Sequence, residues 1–383
     1  MKIAYVITQG ECGGAQKNVL DTASAMKENG HDIIVCTGLQ NQHKDTWLFL
    51  ELRKKGFTEG ELHVFDSLVR EINPMYDLQY LYEMMCFIKK RSIDIVHLHS
   101  TKSGVLGSIG SKIAGAKTVY TVHGFVFAER ISFFKKVIYI LLEFLASFFR
   151  DLTITVSDFD MKVGQRYGIV RAGQGIVIYN GINENCVKNL LQREVSRNFL
   201  ISKSETKETP RIIVGVVANL YKNKGINYLI DAAKSIIAQS SNDTVFMVVG
   251  EGEERDVLEK QIKAASLENN FFLLGTIPDA YKYLKAFDLM VLPSTKEGFP
   301  YVLIESMLAG VPFVATKVGG VMELTKYSGG DLIQPEDSTA LSHAVLSALK
   351  RSNSEPVHLP VTFTTKIMLQ KLQSAYTKLY KSK

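Results

Sequence analysis

The chain has 383 residues, 46% of them apolar and 22% charged, with 45 basic against 39 acidic side chains and a formal charge of +6. That length exceeds one ordinary core and points to two domains, while the composition excludes extended disorder. The small basic excess favours an anionic surface or phosphorylated substrate and falls short of a nucleic-acid arm; Cys12, Cys36, Cys86 and Cys186, with no Cys-x-x-Cys pair, exclude a zinc knuckle and fit a reducing cytoplasm.

In chain order, "KIAYVIT" opens as a buried strand whose apolar core stops at Thr8 and Gln9, too soon for a signal peptide. The turn "TQGECGG" then enters a helix through Gly10, Gly13 and Gly14. Paired glycines permit positive φ and let backbone amides approach a phosphate, with the helix dipole in support. Neither the dinucleotide G-x-G-x-x-G spacing nor the Walker lysine is present, so a plain tight connection is an equal reading of this turn.

Strands follow at "DIIVCTG", "DIVHLHS", "KTVYTVH", "DLTITVS" and "GIVIYNG", each with a turn and a helical pattern behind it. Such alternation predicts parallel strands covered on both faces by helices. His97 and His99 share one face of their strand by alternation, and a metal pair there lacks an evident third ligand. Residues 131 to 149, "ISFFKKVIYILLEFLASFF", are nearly apolar enough for a membrane span, but Lys135, Lys136 and Glu143 leave less than the roughly 20 residues a bilayer requires. A buried helix and an amphipathic helix lying in the lipid interface are both open there. "SDFD" at 157 to 160 imitates a metal-binding D-x-D, yet Ser157 after a strand reads better as a helix N-cap with acids in the first turn.

The polar stretch ending "SKSETKETPR" marks a boundary. The expected division is an acceptor-side domain 1–186, a linker 187–210, a nucleotide-sugar-binding domain 211–362 and a C-terminal helix 363–383. The second domain repeats the pattern with "IIVGVVANL", "TVFMVVGEG", "FFLLGTIPD", "DLMVLPS", "VPFVATKVGG" and "GDLIQP". Two doubly wound α/β domains result, and ligands in such sheets bind beyond the carboxyl ends of the strands, here as two walls of one cleft.

The stretch "KEGFPYVLIESMLAGVP" is the most specific in the chain: Glu297 and Glu305 stand eight positions apart, across a Gly-Phe-Pro turn and a helix start. The amides of Gly298, Phe299 and Tyr301 attract a phosphate, which bare carboxylates repel unless they face something else. Hydroxyl pairs are that something, because a carboxylate accepts two charge-assisted hydrogen bonds from a vicinal diol. One glutamate on a ribose and one on a sugar, with a diphosphate between, accounts for both.

The block E-G-F-P-x-x-x-x-E, with "GGAQ" in the first turn, "TVHG" in the middle and "KGINYLI" opening the second domain, resembles retaining glycosyltransferases of family 4, over nearly the whole chain. The resemblance implies the GT-B fold, two facing Rossmann-like domains, here with a C-terminal helix. It implies that Glu297 contacts the transferred sugar, Glu305 the ribose and Ile277 the base through its backbone. Gly13, Gly14 and Lys224 bind the diphosphate, and His123 donates a hydrogen bond beside the donor sugar. Where members carry arginine, this chain has Asn219 and Tyr221; Lys222 substitutes as a point charge without the guanidinium fork. The implied reaction uses no metal and no cofactor. It moves a hexosyl or N-acetylhexosaminyl group from a nucleotide-sugar donor, UDP-linked, to an acceptor hydroxyl that attacks from the face the diphosphate leaves. With the basic, Phe-rich segment 131 to 149, a lipid-linked saccharide of capsule or exopolysaccharide assembly is the expected acceptor, with peripheral contact at the inner face of the cell membrane and no nucleic-acid partner. The alternatives are a UDP-sugar 2-epimerase on the same fold and a non-catalytic nucleotide-sugar binding module.

Overall fold

The computed structural model describes residues 1–39, 45–128, 131–204, 206, 210–240, 243–328, 330–351 and 359–381. The chain forms two compact units, Met1–Asn180 with Thr365–Lys383, and Gly181–Thr364.

The first unit is built on seven strands: β1 (Lys2–Ile7), β2 (Asp32–Gly38), β3 (Leu62–Phe65), β4 (Ile95–Leu98), β5 (Lys117–Val122), β6 (Leu152–Thr155) and β7 (Gly175–Val177). They make one parallel sheet in the order β3-β2-β1-β4-β5-β6-β7, the doubly wound arrangement. Alternation along β1 divides the core. Ile3, Tyr5 and Ile7 face one side with helix Gly14–Glu28 and helix Thr365–Lys381, while Ala4 and Val6 face the other with helix Pro74–Arg91. β3 is a strand the apolar pattern does not reveal, because four residues interrupted by His63 give no run.

The second unit carries β8 (Ile212–Val217), β9 (Thr244–Val249), β10 (Phe271–Leu273), β11 (Leu289–Leu292), β12 (Phe313–Thr316) and β13 (Asp331–Ile333). Their parallel order is β10-β9-β8-β11-β12-β13.

Two expectations are corrected. The stretch 187–210 is not a linker: it contains helix Arg193–Lys203, which belongs to the second unit. Leu200 is buried, Phe199 stacks on Tyr283 at 4.4 Å, and Arg193 and Arg197 grip Asp288 at 2.5 and 2.9 Å. The unit boundary therefore falls at Asn180 and Gly181, ahead of residue 186. Ile182 pairs with Thr364 and its amide donates to Phe363 O at 2.9 Å, so both chain passages are held in the second unit before Thr365 returns to the first.

At 131–149 two readings were open, and one of them is excluded. Helix Phe133–Ser147 is no buried helix: Phe133 and Phe134 are more than 70% exposed, with Val137, Ile138, Leu141 and Leu145 about half exposed. Its buried face instead holds Glu143, paired with Arg150 at 2.7 Å and accepting from Tyr120 at 3.2 Å. No helix among the described residues is long and apolar enough to cross a membrane.

Candidate active site

In the second unit, two loops meet at the carboxyl end of β11. The short turn Lys222–Lys224 ends on Gly225, whose φ of +64° and tight approach to Pro293 O leave no room for a side chain. Thr295 N donates to Asn223 O at 2.8 Å, which ties the lysine loop to the loop after β11. Lys224 Nζ consequently lies 2.8 Å from Glu297 Oε1, and Ser294 Oγ donates to the same oxygen at 2.6 Å. The Glu297 side chain is 9% exposed and that of Lys224 22%. With Oε1 taken twice, Oε2 is the oxygen left to a ligand.

The turn itself is braced from β12. Gly319, at φ +48°, lies against Glu297 O where a Cβ would overlap, and Gly320 N donates to Gly298 O at 2.8 Å. Helix Tyr301–Ala309 follows with Pro300 at its N-cap and no side-chain cap, so its mouth keeps the partial positive charge that favours an anion. Gly298, Phe299 and Tyr301 are buried at this mouth, and Glu305 is half-buried in the second turn. Lys222 is exposed. Ile277 lies in the loop after β10, 9% exposed, close behind Gly275, whose carbonyl accepts from Gly250 N at 2.9 Å.

In the first unit, helix Gly14–Glu28 begins behind Gly13 without a side-chain cap and with Gly14 exposed. The expected positive φ is not found: Gly13 is extended at −172°, a conformation open to any residue, so the value of a glycine here is the bare access it leaves to the amides. His123, just past β5, is half-buried. Its Nε2 lies 3.1 Å from His99 Nδ1, with the two rings stacked at 5.4 Å. Burial lowers the pKa of His123 to about 4, and burial with neighbouring imidazoles holds His97 and His99 well below the usual range, so all three are neutral near pH 7.

The metal pair at His97 and His99 is not formed. His97 Nδ1 faces Tyr376 Oη at 2.5 Å and Nε2 faces Thr121 Oγ1 at 2.6 Å, which occupies both ring nitrogens with hydroxyls. Among the described residues no three His, Cys, Asp or Glu side chains stand where a metal ion would need them. Ser157 is the N-cap of helix Asp158–Arg166, accepting from Asp160 N at 3.1 Å, as its sequence context predicts.

The structure thus brings Lys224 and Glu297 into contact, with Gly298, Phe299, Tyr301 and Glu305 following in the same turn and helix. Gly13, Gly14 and His123 belong to the first unit. Sequence reasoning missed Ser294, the Gly319–Gly320 brace and the role of His99. A serine three residues before the first glutamate, and "VGG" behind a strand, were the available signals.

Comparison with known proteins bears on the same residues. The family model described as Glycosyltransferase Family 4 matches residues 12–185, and that described as Glycosyl transferases group 1 matches residues 197–358. An Escherichia coli relative, UDP-Gal:alpha-D-GlcNAc-diphosphoundecaprenol alpha-1,3-galactosyltransferase, is 30% identical over 285 residues, covering 73% of this chain and 72% of its own length. N-acetyl-alpha-D-glucosaminyl L-malate synthase of Bacillus anthracis is 25% identical over 91% of this chain and 88% of its own. Among solved structures, Anabaena HepE in complex with UDP-glucose superposes with a TM-score of 0.79 at 24% identity, over 99% of this chain and 100% of that one. The chain belongs to glycosyltransferase family 4 and is a glycosyltransferase of the GT-B fold.

Proposed function

We propose that this enzyme transfers a sugar from a UDP-linked donor to an acceptor hydroxyl with retention and without a metal ion, and that the acceptor is a lipid-linked saccharide of cell-surface polysaccharide synthesis. The contact between Lys224 and Glu297, at the uncapped mouth of helix Tyr301–Ala309, carries the reading. A departing diphosphate gathers negative charge, and without a metal a fixed cation has to meet it. Lys224 is such a cation, held by Glu297 at 2.8 Å.

Each remaining residue takes one part of the donor. Glu297 accepts from a sugar hydroxyl through Oε2, Glu305 takes the ribose diol, and the backbone at Ile277 takes the base. Lys222 and the amides of Gly298, Phe299 and Tyr301 add to the diphosphate field, as do those of Gly13 and Gly14. His123 offers the sugar a neutral hydrogen bond. The bond from the anomeric carbon to the diphosphate breaks, that to the acceptor oxygen forms on the same face, and the acceptor proton passes to a phosphate oxygen. No side chain on this account forms a covalent intermediate.

The lipid-linked acceptor rests on helix Phe133–Ser147, whose exposed phenylalanines stand beside Lys135 and Lys136, a pairing suited to an anionic lipid interface. The E. coli relative is named for a diphosphoundecaprenol acceptor and the B. anthracis relative for L-malate, so acceptors differ among relatives. Incubation with UDP-galactose, UDP-glucose or UDP-N-acetylglucosamine and either an undecaprenyl-diphosphate sugar or a soluble glycoside is the test, alongside sedimentation with anionic vesicles. Transfer to the lipid-linked sugar, unaffected by chelator, and co-sedimentation lost in a Phe133→Ser/Phe134→Ser double variant are expected. Equal transfer to the soluble glycoside without sedimentation overturns the acceptor class, and inhibition by chelator reversed by manganese overturns the metal-free reading.

A further inference from the structure

We propose that His99 is the positioning residue for His123: it donates from Nδ1 to His123 Nε2 and so fixes His123 as the tautomer that carries its own proton on Nδ1. The inference deepens the proposed function, since it rests on His123 serving the donor sugar as a neutral hydrogen-bond donor.

Two imidazoles facing each other nitrogen to nitrogen at 3.1 Å need one N–H and one lone pair between them, because both are neutral. Two arrangements satisfy that contact. If His123 donates, His99 must carry its proton on Nε2. That nitrogen is buried and meets no hydrogen-bond partner among the described residues. An orphaned buried N–H is the rarer and costlier defect, whereas a bare lone pair on the same atom is better tolerated. The arrangement with His99 as donor is therefore the stable one, and it leaves His123 with its proton on the nitrogen that His99 does not touch.

The rest of the cluster holds His99 in this role. Its ring packs against both Tyr5, stacked at 5.6 Å, and His97, at 4.0 Å, while those two rings meet each other at 5.3 Å. His97 is itself locked: Tyr376 O–H donates to Tyr5 Oη at 2.9 Å, so its oxygen accepts from His97 Nδ1, and Thr121 donates to Nε2. Tyr376 comes from helix Thr365–Lys381, so donation runs from Thr121 of β5 through His97 of β4 to the C-terminal helix, and His99 meets this chain by ring contact with His97.

The full-length protein, labelled with 15N-histidine, supplies a direct test, with His123 assigned by its loss in His123→Gln. Multiple-bond proton–nitrogen spectra should show His123 protonated on Nδ1 and bare on Nε2, and His99 protonated on Nδ1. His99→Leu should send His123 to a mixture of tautomers. UDP release from UDP-glucose or UDP-galactose should then fall roughly tenfold, with the KM for donor nearly unchanged, as expected for a misplaced hydrogen-bond donor. His99→Asn, whose amide nitrogen stands near the place of Nδ1, should restore both the tautomer and turnover. Nε2 protonation of His123 in the wild type overturns the proposal, as does an unaltered tautomer in His99→Leu. Should the leucine variant not fold, the wild-type spectrum and the asparagine variant decide alone. Unchanged turnover in His123→Ala would instead defeat the sugar-facing reading of His123, and leaves the tautomer spectrum to judge His99.

Discussion

The two strand-end clusters hold buried polar groups by opposite means. In the first unit His97, His99 and His123 are kept neutral, each hydrogen-bonded to a hydroxyl or another imidazole, with Nε2 of His99 left as a bare lone pair. In the second, Lys224 and Glu297 are a charged pair with Ser294 in support. A neutral network is indifferent to salt but fails when a proton is forced onto it, whereas an ion pair tolerates mild acid and depends on both partners being present. On the proposed function the chemistry follows the same division: neutral donors suit a sugar hydroxyl, and a fixed cation suits a leaving diphosphate.

Acid gives the largest expected separation of the two. A histidine whose folded value lies below its ordinary 6.5 binds its proton more readily once unfolded. The stability it contributes is therefore complete above about pH 6.5 and is lost as pH falls toward about 4 for His123, and in the same direction for His97 and His99. Each imidazole still neutral in the fold costs about 1.4 kcal/mol per pH unit through that window. Hydrogen exchange at pH 7 and pH 5, corrected for intrinsic rates, should show β4 and β5 losing far more protection than β8. Equal losses in both units would break the comparison.

Next in size are the two ends of the ion pair. Glu297→Ala should lower transfer by roughly 10²–10³-fold while largely sparing UDP affinity, and Lys224→Ala should reduce both. Unchanged turnover in either variant removes the residue from the site. Incubation with donor alone should yield UDP and no epimerised sugar; an epimer would favour the 2-epimerase reading.

What the sequence made legible is what is local. β1, β2 and β9 each contain an apolar run of four or five residues, and the spacing of Glu297 and Glu305 lies within one turn and helix, so both were readable from neighbours alone. Helix Arg193–Lys203 was hidden because its charges are not solvated decoration: Arg193 and Arg197 reach Asp288, some ninety residues on. The Lys224–Glu297 contact spans 73 positions, and the His99–His123 contact crosses from β4 to β5, so neither leaves a periodic trace. Helix Phe133–Ser147 advertised its apolarity but not its side, since its buried face is set by Glu143 meeting Arg150 beyond the helix end.

Smaller effects probe how tightly the charged cluster is held. Glu305→Ala should weaken UDP binding about tenfold, the loss expected for a charge-assisted hydrogen bond to ribose. Titration calorimetry with UDP checks it; full affinity in the variant would move the ribose elsewhere.

Ser294→Ala is the finest of these probes. Ser294 is fully buried, donates to Glu297 Oε1 at 2.6 Å, and its carbonyl accepts from Thr316 Oγ1, so the backbone stays anchored when the hydroxyl is removed. Lys224 still neutralises Glu297, so the carboxylate loses one of two grips and gains rotational freedom without becoming an unpaired charge. A loss near 1 kcal/mol, about fivefold in turnover, is the expected size for one such hydrogen bond. UDP affinity should stay the same, because the diphosphate cation is untouched. A fall in UDP affinity larger than the fall in turnover would mean that Ser294 holds Lys224 through Glu297, and the acid would then serve the cation more than the sugar.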